Sequence, residues 1–148
     1  MRNSQRSLLG TFTAALLVLL AGAGTAAAQS AAERYDVTFE GVTSNCTKDR
    51  VLALAKGSLV ISSTDKEIKL RLERAAVTVP ELVGSQRRGG KIKADATATD
   101  AQGRRQRITA SGRVEDGAIQ LLFIAELYDD KGSSLCSQSW NVTGKRGR

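Results

Sequence analysis

The sequence predicts an all-β protein, an antiparallel meander of about eight strands closing on itself as a small barrel, with a two-sheet β-sandwich as the alternative. Three observations carry this reading. Short alternating apolar and polar runs recur from Tyr35 to Thr143 with turn signals between them. Glu115-Asp116-Gly117-Ala118 sets an Asp-Gly pair, a strong hairpin signal, between two long alternating runs. Cys46 follows the first run and Cys136 lies in the last, so a bond between them joins first strand to last and favours closure, which leaves no sheet edge exposed.

The first 28 residues read as a secretory signal peptide. Arg2 and Arg6 give a positive start, Leu8 to Leu20 is apolar and uncharged, and Ala26-Ala27-Ala28 before Gln29 fits a signal-peptidase site. The apolar run is shorter than the roughly 20 residues a membrane span needs. No cysteine follows it until Cys46, so no lipid-anchor site is visible. Its Ala-rich form is of bacterial type, which directs the mature chain, with no transmembrane segment, to the periplasm or the medium. Residues 29–148 are expected to form one barrel domain with a short basic C-terminal tail.

The strands follow in order. Tyr35, Val37 and Phe39 alternate with polar neighbours and form the first. Residues 47–56 are ambiguous: Val51, Leu52, Leu54 and Ala55 suit a short amphipathic helix ending at Gly57, the favoured reading, while one long strand from Val51 to Ile61 is the other. Ser58–Ser62 and Glu67–Glu73 form a hairpin around Thr64-Asp65. Val77 and Val79 make a short strand stopped by Pro80, and Glu81 to Gly90 is read as a loop. Ile92, Ala94, Ala96 and Ala98 then point inward from the next strand.

With Asp116-Gly117 as the turn, Val114 meets Ile119, Gly112 meets Leu121, Ala110 meets Phe123 and Ile108 meets Ala125, a wholly apolar face that matches small to large. The other face is mostly polar, except that Leu122 and Ile124 point outward. A turn with Lys131-Gly132 at its centre brings Leu127 to Cys136, Phe123 to Trp140 and Leu121 to Val142.

An exported pair of cysteines is expected to bond, and a bridge closing roughly 90 residues stabilises by about 4 to 5 kcal/mol in the chain-entropy view. There is no histidine, which excludes a Ser-His-Asp triad and histidine-ligated metal, and the cysteines lack C-x-x-C spacing. The pairs Glu115-Asp116 and Asp129-Asp130 read as turn chemistry rather than a catalytic dyad or calcium loop. No cofactor and no enzymatic activity are expected.

Charge is uneven. Without Arg2 and Arg6, 20 basic residues stand against 15 acidic, a net of +5. Residues 86–113 alone hold eight basic and two acidic residues, a net of +6. Lys91, Lys93, Arg105, Arg107 and Arg113 all occupy outward strand positions, so one exterior face is a candidate anion-binding surface for an envelope polymer such as an acidic polysaccharide or phosphorylated glycolipid. Few aromatics interleave with these charges, which argues against specific nucleic-acid recognition. The interior offers the second candidate. Small inward residues leave space that is either filled by Phe123, Trp140 and Leu121 or left for a small apolar ligand held by those three.

The outline is similar in shape to lipocalin-like carriers and to periplasmic inhibitors of proteases or lysozyme, with no diagnostic motif of either. The leading expectation is an exported binding protein carrying a small apolar ligand. The alternatives are inhibition of a partner protein, with Glu81 to Gly90 as the protruding element, and anion binding at the basic face. Oligomeric state is not legible.

Overall fold

The computed structural model describes residues 31–148; the expected signal peptide lies outside the described residues. Eight antiparallel strands close into a barrel in sequence order: β1 (Ala31–Ser44), β2 (Lys56–Ser63), β3 (Ile68–Glu73), β4 (Leu82–Gln86), β5 (Lys91–Thr99), β6 (Arg105–Glu115), β7 (Ala118–Tyr128) and β8 (Ser134–Arg146). Closure runs through β1, whose first half pairs with β2 and whose second half pairs with β8. Residues 35–38 pair on both edges at once, and a bulge between Gly41 and Thr43 shifts the register with β8 as the sheet bends round.

The β6–β7 hairpin has the register its alternation predicts, from Val114 opposite Ile119 to Arg105 opposite Tyr128. Asp116 and Gly117 both have positive φ, 52° and 72°, as the primed turn of a tight hairpin requires. In β7–β8, Leu127 faces Cys136, Phe123 faces Trp140 and Leu121 faces Val142. The turn itself differs from the expected two-residue form. The Asp129 carboxylate accepts from the Lys131 and Ser133 amides at 3.0 and 2.7 Å, Gly132 takes positive φ, and a bulge at Leu127/Tyr128 absorbs the extra residue.

Inward side chains from all eight strands form one core. Tyr35, Phe123, Leu59, Ile68, Leu70, Leu82, Ile108, Ile119 and Val142 are among its fully buried members, and Phe39 packs edge-on against Phe123 at 5.6 Å between centroids. Buried Tyr35 donates its hydroxyl to Glu33, whose carboxylate also accepts from Arg146 at 2.7 Å, tying the end of β8 to the start of β1.

Two expectations are corrected where the chain crosses one end of the barrel. Residues 47–56 are not helical. Thr47 to Arg50 turns, and the chain then runs irregularly to β2, placing Leu54 in the core with Leu52 packed against it. Its backbone groups are claimed from outside the segment: Leu52 donates its amide to Gln138 Oε1 at 2.8 Å, and the Ala55 carbonyl accepts from Phe39 at 2.8 Å. Tertiary partners therefore replace the i to i+4 bonds of a helix. The Val77–Val79 strand is likewise absent. Those two valines pack onto the core in the crossing between β3 and β4, and the strand forms after Pro80 instead, at Leu82–Gln86, within the expected loop. Gly84 disguised it, since glycine is a poor strand residue. Here nothing larger fits, because a Cβ at Gly84 would lie 1.9 Å from the Lys93 carbonyl oxygen.

Candidate functional site

The cysteine pair is bonded as expected, with Cα atoms 4.9 Å apart across a separation of 90 residues. It anchors the start of the 45–55 crossing to β8, and Asn45 reinforces it: its amide donates to the Ser137 carbonyl at 3.1 Å and its side-chain oxygen accepts from the Ser137 amide at 2.7 Å. Among the described residues no helix is long and apolar enough to cross a membrane.

The interior candidates are packed. Phe123 is wholly buried, Trp140 and Leu121 nearly so, and all three belong to the continuous core with Phe39 and Val142. Leu122 remains exposed, whereas Ile124 is half-buried.

The five basic candidates lie on the outer face of β5 and β6, as their alternation requires, but they form two groups. Lys91 pairs in register with Arg113, and Lys93 with Ser111, toward the barrel end that carries the β4–β5 connection. Arg105 and Arg107 sit toward the opposite end, six residues or more from Arg113, which is about 20 Å along a strand. There they have local partners. Arg107 is 3.8 Å from Asp95 and lies opposite Glu126, while the Arg105 guanidinium stands 5.4 Å from the centre of the Tyr128 ring. Part of the sequence-level cluster is thus neutralised on its own sheet.

Around the first group lies a groove of about 700 Å³, lined by Ser85, Arg87, Lys91, Lys93, Arg113 and Gln120 together with Ile92, Ser111 and Gly112. It is on the outside of the barrel. Arg87 joins the group because β4 alternates with Val83, Ser85 and Arg87 on the outer side, and its amide donates to the Lys91 carbonyl at 2.7 Å. Among the described residues Arg87, Lys91 and Lys93 form no ion pair; Arg113 has Glu115 at 3.4 Å. Three cations of the groove are therefore left to solvent or ligand.

Gly112 sits at the centre of this surface. A Cβ there would meet the Gln120 carbonyl oxygen at 2.1 Å, so β6 and β7 approach as only glycine permits. A second cleft of about 450 Å³ shares Ser111, Gly112 and Gln120 with the first and continues over Leu122, Asn141, Thr143 and Glu40. Arg87 and this continuation were missed in the sequence because they depend on β4 being a strand and on which strands become neighbours. The outward alternation of Val83, Ser85 and Arg87 was the available signal.

Fold and site together define a disulfide-clasped, eight-stranded antiparallel barrel with a continuous apolar core and a basic external groove. No family model matches the chain, and neither a curated protein nor a solved structure matches it.

Proposed function

We propose that this is an exported, non-enzymatic binding protein that holds an anionic component of the cell envelope in the groove formed by Arg87, Lys91, Lys93 and Arg113. One observation carries the reading: four cations border the groove of about 700 Å³, and three of them have no carboxylate partner among the described residues. Such a site attracts anions at long range and gains more from a ligand than charges already paired on their own sheet. The signal-like N-terminus and the disulfide support an oxidising compartment, the periplasm or the medium.

Carriage in the interior has less support. A carrier needs an inward cavity of roughly 300 Å³ or more, whereas Tyr35, Phe39, Phe123 and Trp140 occupy the inside here. Inhibition through a protruding loop also loses its element, because Leu82–Gln86 is a barrel strand and only Arg87–Gly90 remains as a tip.

Two double reversals of equal charge provide the test. Lys91→Glu with Lys93→Glu should abolish retention on an anionic matrix at low salt, while Arg105→Glu with Arg107→Glu should preserve most of it. Retention of the native chain should weaken steeply towards physiological salt, where screening acts over about 8 Å. Equal loss in both variants would reduce the groove to a contribution of net charge and overturn the assignment.

A further inference from the structure

We infer that the occupant of this groove is a linear acidic polysaccharide, which lies across the sheet with its charged units on β4–β6 and its uncharged hydroxyls over β7, β8 and β1. The inference rests on the anion-binding reading and extends it beyond the basic end. Ser85, Lys93, Ser111, Leu122, Asn141 and Glu40 form one continuous lateral row, each the register partner of the next. The two clefts run along this row and share Ser111, Gly112 and Gln120. Six strands at about 4.8 Å spacing give an arc of about 24 Å along the outer surface, room for several sugar units end to end.

The chemistry changes along that arc. At the β4–β6 end, Arg87, Lys91, Lys93 and Arg113 offer cationic donors. Beyond them Gln120, Asn141 and Thr143 offer amides and a hydroxyl that both donate and accept, the complement of sugar hydroxyls. Glu40 closes the far end with a carboxylate. A uniformly charged chain such as a phosphodiester polymer would be repelled there, whereas a hydroxyl donates to it. The cleft also lacks an aromatic on which a nucleobase would stack. A lipid fits less well, since Leu122 is the one large apolar side chain that is exposed among the residues lining the two clefts.

The test uses the mature chain with four probes: tripolyphosphate, the uronate-bearing dimer and hexamer of a linear gellan-type chain, whose repeat sets one uronate among neutral sugars, and vesicles of phosphatidylglycerol. The hexamer should bind about tenfold or more tighter than the dimer, as a few added hydrogen bonds allow. Asn141→Ala with Thr143→Ala should remove most of that advantage and leave the dimer unchanged. Lys91→Glu with Lys93→Glu should abolish binding of all soluble probes. Equal affinity for dimer and hexamer, or a hexamer advantage that survives the Asn141/Thr143 change, overturns the polysaccharide inference while Lys-dependent binding of tripolyphosphate leaves the anion site standing. Vesicle binding tighter than hexamer binding overturns it in favour of a lipid headgroup. Failure of every soluble anion to bind overturns both readings.

Discussion

Lys91 and Arg113 stand directly opposite one another across β5 and β6, two cations in register on the outer face of the barrel. Like charges so placed cost a sheet stability. Glu115 offsets part of this at Arg113, but Lys91 has no carboxylate within ion-pair distance among the described residues.

Relief of this repulsion should therefore be measurable. Lys91→Gln is expected to raise stability to denaturant by about 0.2 to 1 kcal/mol at low salt, because it removes a like-charge cross-strand pair. The same change should shrink the stabilisation that tripolyphosphate gives the native chain, since a ligand that binds only the folded state stabilises it by mass action. Denaturant melts with and without the anion check both. A variant less stable than the parent would show that Lys91 packs its stem rather than straining the sheet.

The disulfide clasp sets a second expectation. Cys46→Ala should destabilise the fold by about 2 to 5 kcal/mol, since the bond closes the long loop between β1 and β8. The loss should be local first. Leu52 and Leu54 lie in the crossing that Cys46 anchors, so amide exchange at Leu52, bonded to Gln138, should accelerate before exchange in β6 and β7. Uniform acceleration across all strands would separate the clasp from this crossing.

On the face opposite the groove, Arg34 and Arg71 converge on Glu73 at 2.6 and 2.9 Å, flanking Val60 in register. The hydrogen bond from Arg34, aided by the charges of both arginines, holds the Glu73 carboxyl below its ordinary value. A depressed pKa contributes stability that is present above the unfolded carboxylate value and is lost as pH falls through the folded one. Thermal melts of the native chain should thus fall between about pH 5 and pH 3 by more than those of Glu73→Gln. Parallel curves for the two proteins would place the acid sensitivity at other carboxylates.

Much of the barrel is legible in the residues themselves. Alternation from Ile108 to Val142 fixes which side chains face inward, and Asp116-Gly117 fixes the hairpin turn, so the pairing of Ala110 with Phe123 and of Phe123 with Trp140 follows from local pattern alone. A slip of one residue would turn every core side chain to solvent, which is why such registers read clearly. Outward placement of Lys91, Lys93, Arg105, Arg107 and Arg113 follows from the same rule.

What alternation does not encode is who the next strand's neighbour is and what leaves the sheet to cover its end. Val77 and Val79 alternate as a strand does, yet they pack across the barrel end, because that end must be closed and the backbone of β3 meets β4 only over Ile68 to Leu70. Leu52 and Leu54 serve the same end without a helix, since Gln138 and Phe39 supply the hydrogen bonds a helix would have made internally. The basic face divides for a comparable reason. Tyr128 opposite Arg105 follows already from the β6–β7 alternation, but Asp95 comes beside Arg107 through the pairing of β5 with β6, and Arg87 joins Lys91, Lys93 and Arg113 only because Gly84 lets β4 lie against β5. Sequence alone determined the strand faces and registers of β6, β7 and β8, set by local periodicity and turn chemistry, and the cysteine pair, since the chain has only two cysteines. Tertiary structure decided which cations remain unpaired around a groove, because that depends on close backbone approach between segments that local pattern cannot see.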